Sequence, residues 1–238
     1  MSSAEFGQDL GELMSRAART LQEDHGDIEA TLQTITTLAI GTVPNAEECS
    51  ISYVIARKRV EPRASTSDLP GKVDALQREI QQGPCLDAVW DAEFVRVDDV
   101  RADERWPEFA AKASDLGIGS MLCFQLFVEG DQLGAMNLYS REPGAFDVEC
   151  EEIGRIFTAH AAVALAGAQQ ESNLRKGMDN RDVIGQAKGI LMERHKLTAD
   201  QAFGVLTRVS QELNRKLVDV AREVGDTGTV PGANRRRD

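Results

Sequence analysis

Residues 117–140 read GIGSMLCFQLFVEGDQLGAMNLYS, and this stretch decides the fold of most of the chain. Two runs, Ser120 to Val128 and Leu133 to Tyr139, are nearly continuous in apolar residues, with a short Glu129-Gly130-Asp131 break between them. Strands buried on both faces carry that pattern, and so short a Gly/Asp break predicts a tight antiparallel hairpin near the centre of a sheet. Upstream, Trp106-Pro107 opens a helix to about Leu116, and Phe94 to Val97 reads as a short strand. Cys49 to Ala56 alternates apolar and small polar residues. Val60 to Ser65 returns as its hairpin partner after Arg57-Lys58-Arg59, whose charges suit a solvated tip. Helices are predicted over Ile28 to Ala39, with Asp27 as N-cap, and over Val73 to Gln81, ended by Gly83-Pro84. A long helix, Asp147 to about Lys176, closes the unit with Ile153, Ile156, Phe157, His160, Val163 and Ala164 facing inward. The fold class is α+β: an antiparallel sheet with flanking helices, followed by a small all-α domain of three helices.

Ahead of this unit, Phe6, Leu10, Leu13, Met14, Ala17 and Leu21 lie three and four residues apart, one apolar stripe on a helix. Two partners stand open for it: the domain that follows, or the same stripe of a second copy.

Charge separates the two parts. Residues 1–178 sum to −14 and residues 179–238 to +2, within a formal total of −12. An acidic body repels nucleic acid at long range, so any polyanion contact by the tail rests on a few aimed side chains. The N-terminus lacks the basic and apolar character of a signal peptide, no apolar run is long enough to span a membrane, and Cys49, Cys85, Cys123 and Cys150 form no C-x-x-C pair. A cytoplasmic protein with free thiols is expected. His25, His160 and His195 are scattered, and neither a phosphate loop nor a G-x-S-x-G motif occurs, so no enzyme and no metal site is predicted, and no cofactor is named.

The segments GPCLDAVW, FVRVDDVRADERWPEF, GIGSMLCFQLFVEGDQLGAMNLYS and PGAFD resemble a GAF domain over about residues 28–168. The resemblance implies a sensor with a six-stranded antiparallel sheet, helices on one side, and on the other a loop-lined pocket for a small-molecule effector. The sequence motifs of cyclic-nucleotide and bilin binders are absent. Cys85, at the start of a helix whose dipole favours a thiolate, and Trp106 are the candidates for ligand or redox sensing. The competing reading makes Cys85 a small buried hydrophobe and Trp106 a packing anchor; Asp98-Asp99 reads as a turn and His160 as a core histidine.

The C-terminal stretch, Asn180 to Val224, breaks into three amphipathic segments. Asn180 is read as the N-cap of the first, with Val183, Ile184, Ala187, Ile190 and Leu191 inward. Thr198-Ala-Asp-Gln201 has the form of a capping box opening the second, with Ala202, Phe203, Val205, Leu206, Val209 and Leu213 inward, and Asn214 is read as the cap of the third. From the residues alone, a basic three-helix unit reads duplex DNA as readily as RNA. The order AKGILMER, then TADQAFGVL, then SQELNRKLVDVA is similar to the ANTAR domain. That resemblance implies a homodimer gripping hairpin loops of nascent leader RNA to prevent termination, with Lys188, Gly189, Arg194, Arg208, Arg215 and Lys216 as RNA-binding candidates. A second hypothesis makes the helices a docking surface for a signalling protein. The expected layout is an N-terminal amphipathic helix (1–27), a GAF-like sensor (28–168), a helical linker (169–179), the three-helix domain (180–225) and a disordered tail (226–238).

Overall fold

The computed structural model describes residues 11–12, 14–21, 26–55, 59–128 and 131–232. It divides into two compact units, Met1–Glu171 and Ser172–Asp238.

The first unit is built on five antiparallel strands: β1 (Glu48–Ile55), β2 (Arg59–Ser65), β3 (Phe94–Val97), β4 (Ser120–Val128) and β5 (Asp131–Ser140), in the order β2-β1-β5-β4-β3. The resemblance implied six strands; the described residues form five. β5 is central, pairing Asn137 with Ser50 of β1 on one side and Cys123 of β4 on the other. The expected β4–β5 hairpin forms, though residues 129–130 of its turn and residues 56–58 at the β1–β2 tip lie outside the described residues.

One face of the sheet carries Ile51, Leu122, Phe124, Met136 and Leu138 against α1 (Ile28–Thr42) and the first part of α5 (Val148–His195). Asp27 caps α1, its carboxylate accepting from the amides of Glu29 and Ala30. Met14, Ala17 and Leu21 of a helical segment at 14–21 are buried in this same core, so for those residues the domain itself is the partner; Phe6, Leu10 and Leu13 lie outside the described residues. Side chains the size of Met14 and Leu21 each contribute about 1.5–3 kcal/mol when fully buried. Gly154 lets α5 approach the sheet: a Cβ there would stand 2.4 Å from the Phe124 ring. That close contact sets the phase of α5, turning Ile153, Phe157, Ala161 and Leu165 inward. His160, read as a core residue, is exposed, as are Ile156 and Val163.

The other face is covered by α2 (Asp68–Ile80), α3 (Pro84–Trp90) and α4 (Pro107–Asp115), so helices lie on both sides of the sheet rather than on one. Ser67 caps α2, which starts five residues before the sequence reading, and Gln81, in the left-handed conformation, ends it. Asp99 caps a short 3-10 turn (Val100–Ala102), in keeping with its reading as a turn residue.

In the second unit, α5 packs with α6 (Ala199–Leu213) and α7 (Leu217–Thr227) around Ala187, Leu191, Ala202, Leu206, Val220, Ala221 and Val224. Two cap readings are overturned. Asn180 lies inside α5, which runs 48 residues without a break. Asparagine costs a helix interior well under about 1 kcal/mol, and neither Gly nor Pro at 179–181 stops propagation. Asn214 is the C-cap of α6, in the left-handed conformation that asparagine tolerates (φ 49°, ψ 43°), and α7 starts after Lys216 without a side-chain cap. The capping box of Thr198 and Gln201 is present in both halves. Phe203 and Leu213, read as core, are exposed. The tail expected to be disordered from 226 is helical to Thr227, closed by Gly228, and Val230 packs on the core; residues 233–238 lie outside the described residues.

Candidate sensor core and nucleic-acid interface

At the centre of the α2-covered face lies a polar cluster that the sequence reading missed. Asp74 of α2, fully buried, accepts hydrogen bonds from Ser52 Oγ (3.2 Å), Asn137 Nδ2 (3.2 Å) and Tyr139 Oη (2.7 Å). Ser50 Oγ lies 3.0 Å from the Tyr139 hydroxyl, and Asn137 Nδ2 also reaches Cys85 Sγ at 3.2 Å. No cation enters the group among the described residues. Burial therefore pushes the Asp74 carboxyl above the usual range, and the surrounding hydrogen bonds offset this only in part. Asn137 Oδ1 and the nearby Gln77 Nε2 are buried without partners, while Gln77 Oε1 accepts from the Cys85 amide.

Cys85 does start a helix, but that helix has seven residues and the thiol is sealed under it. Burial pushes it up to about 12, with the nearby Asp74 charge adding to the shift. The dipole argument for a thiolate thus loses to desolvation. Trp106 is buried and donates its Nε1–H to Asp87 Oδ2 at 3.1 Å, with the Arg105 guanidinium 4.3 Å from its ring centroid. It edges a surface depression of about 480 Å³ shared with Asp87, Asp91, Asp98, Arg96 and Arg105. The two sensing candidates therefore lie in different places, one in the sealed cluster and one beside an open, acidic depression.

The RNA-binding candidates of the second unit divide by what already holds them. The Arg194 guanidinium donates to the Gly228 carbonyl, tying the end of α7 to α5. Arg215 is paired with Glu223 at 2.6 Å. Lys188 stands 5.9 Å from the ring centroid of Phe203, and Arg208 and Lys216 are exposed, their side chains in no hydrogen bond or ion pair among the described residues. Gly189 is exposed on α5 with open space where a Cβ would project. Arg181, not among the RNA-binding candidates of the sequence, is exposed on the same helix, its side chain in no hydrogen bond or ion pair among the described residues. It and Phe203 line a groove of about 660 Å³ together with Asn180, Ile184, Gly185 and Lys188. Local cues hid both: Arg181 sits beside a supposed cap, and Phe203 fits the apolar spacing of α6.

The family model of the GAF domain matches residues 25–166 and that of the ANTAR domain matches residues 172–224. Among solved structures, the first unit is similar to the GAF domains of phosphoenolpyruvate-protein phosphotransferases. The Coxiella burnetii domain is 15% identical, with 72% of this chain and 99% of that one covered at a TM-score of 0.55. The Acinetobacter domain is 15% identical, with 73% and 99% covered at 0.53. The phytochrome photosensory core module of Stigmatella aurantiaca is 9% identical and covers 90% of this chain and 46% of its own at 0.58. At these identities the likeness is one of fold. No curated protein matches the sequence.

Proposed function

The chain belongs to the GAF domain family and carries an ANTAR domain behind it, and on that premise we propose that it is a signal-responsive, homodimeric antitermination regulator that binds hairpin loops of nascent leader RNA. At the coarser level, a sensor-type domain is joined to an RNA-binding regulatory one, and both are regulatory rather than catalytic units. The observation that carries this reading is that the side chains of Arg181, Lys188, Arg208 and Lys216 on the second unit make no hydrogen bond or ion pair among the described residues, in a chain whose first unit is strongly acidic. Cations without internal partners keep their charge for phosphates, and a polyanion held by only a few of them is released readily by salt.

A second copy is supported by α5. Ile156, Val163, Leu174 and Met178 are exposed on it at spacings of seven, eleven and four, which stay on one side of a helix. In this reading the effector alters the first unit, and the change reaches the RNA through α5 as an altered pairing of two copies in the cytoplasm. No described helix is long and apolar enough to cross a membrane.

The test is a gel shift with a two-hairpin leader RNA across a range of salt. Lys188→Ala and Lys216→Ala should each weaken retention and flatten the log–log salt slope by about 0.7–0.9. Tight binding of duplex DNA without binding of the RNA overturns the proposal.

A further inference from the structure

The groove on α5 holds a combination that neither folding nor internal ion pairing explains. Phe203 is 43% exposed, although its neighbours on α6, Ala202 and Leu206, are fully buried. Its ring forms one wall, and the Lys188 ammonium stands 5.9 Å from the ring centroid. Across the floor, Gly185 sits within α5 with nothing within 4 Å of where a Cβ would be. Glycine weakens a helix interior relative to alanine, and here no packing neighbour requires it. Arg181, one turn before Gly185, adds a cation with no ion pair among the described residues, and Asp182 is the one carboxylate in the lining.

Resting on the RNA reading above, we infer that this groove is a stacking site for one unpaired nucleobase of the bound RNA, with Phe203 as the platform. A flat π-face, a bare stretch of helix and two cations are complementary to a flat base and the phosphates that flank it. A helix-like duplex offers no free base face and fits the groove poorly. A second copy packed there about a twofold axis would set cation near cation at Arg181 and Lys188, which disfavours that occupant.

The test uses the full-length protein and a two-hairpin leader RNA, with a matched RNA whose loop carries one abasic position at a time. Phe203→Ala should weaken binding about tenfold or more while leaving the salt slope unchanged, and Phe203→Trp should restore it. One abasic position should weaken the wild type and leave the Phe203→Ala protein unaffected. Gly185→Gln, which fills the groove with a better helix former, should weaken binding while leaving the protein at least as stable to heat. Native mass spectrometry should show unchanged copy number for all three variants. If wild type binds RNA and Phe203→Ala binds equally well, the inference fails while the RNA reading stands. If the variants instead change copy number, the groove belongs to the contact between copies and the inference fails. If wild type retains no RNA, both fall.

Discussion

Removing the acceptor at the heart of the sensor core isolates what the buried carboxyl contributes. Asp74→Ala strips the partner from three donors, but two keep a second one: Tyr139 Oη retains Ser50 at 3.0 Å and Asn137 Nδ2 retains Cys85 Sγ at 3.2 Å. Ser52 Oγ, 2% exposed, loses its acceptor, and a buried hydroxyl left unpaired costs about 1–3 kcal/mol. For a unit of this size that is on the order of 5 °C in melting temperature. Asp74→Asn keeps the shape and most of the hydrogen bonds, and it removes the titration. The sign follows from the raised carboxyl. In the window between the unfolded value and the raised folded value, the native state holds a proton that the unfolded state has released, so wild-type stability is greatest below that window and falls as pH rises through it. Urea midpoints of wild type and Asp74→Asn from about pH 4 to about pH 8 should therefore diverge in favour of the variant as pH rises. A difference that does not vary with pH would refute the reasoning.

Other outcomes follow from single contacts. Gly154→Ala places a methyl 2.4 Å from the Phe124 ring and should cost about 1–3 kcal/mol in thermal or urea unfolding. Thr198→Ala removes the capping box of α6 and should lower the stability of the second unit by about 1 kcal/mol, read by urea denaturation of the helical signal. Cys85 should resist a thiol reagent at neutral pH in the native protein and react after unfolding, because its thiol is buried and raised to about 12. Val163→Glu together with Leu174→Glu, on the exposed side of α5, should shift the copy number toward monomer in sedimentation while leaving the fold intact.

What the sequence made legible was local. The β4–β5 hairpin announced itself through two apolar runs and a short polar break, and Asp27 and Thr198 are caps because each places its acceptor oxygen immediately before a helix whose first-turn amides need it. What stayed hidden depended on neighbours distant in sequence. His160 satisfies helical spacing, yet the phase of α5 is set by Gly154 meeting Phe124 across the sheet. Asn180 looks like a cap, but a cap acts only where a helix starts, and this one continues to His195. Asp74 hid among Val73, Leu76 and Gln77, because its four polar neighbours come from β1 and β5, more than twenty residues away on either side. Phe203 and Leu206 are indistinguishable in the spacing of α6, and only the fold shows which one the core of the second unit takes. For the same reason the cations could be counted but not sorted, since the Arg194 tie to Gly228 and the Arg215 pair with Glu223 form through the turns between helices.

The central claim is that the second unit delivers this protein to RNA. Ultraviolet crosslinking in cells followed by sequencing of the bound nucleic acid tests it most directly, with a Lys188→Ala, Lys216→Ala double variant as the control. The account predicts enrichment of transcript leaders that contain two adjacent hairpins with small terminal loops, lost in the double variant. Recovery of duplex DNA, or of no nucleic acid above that control, would contradict it.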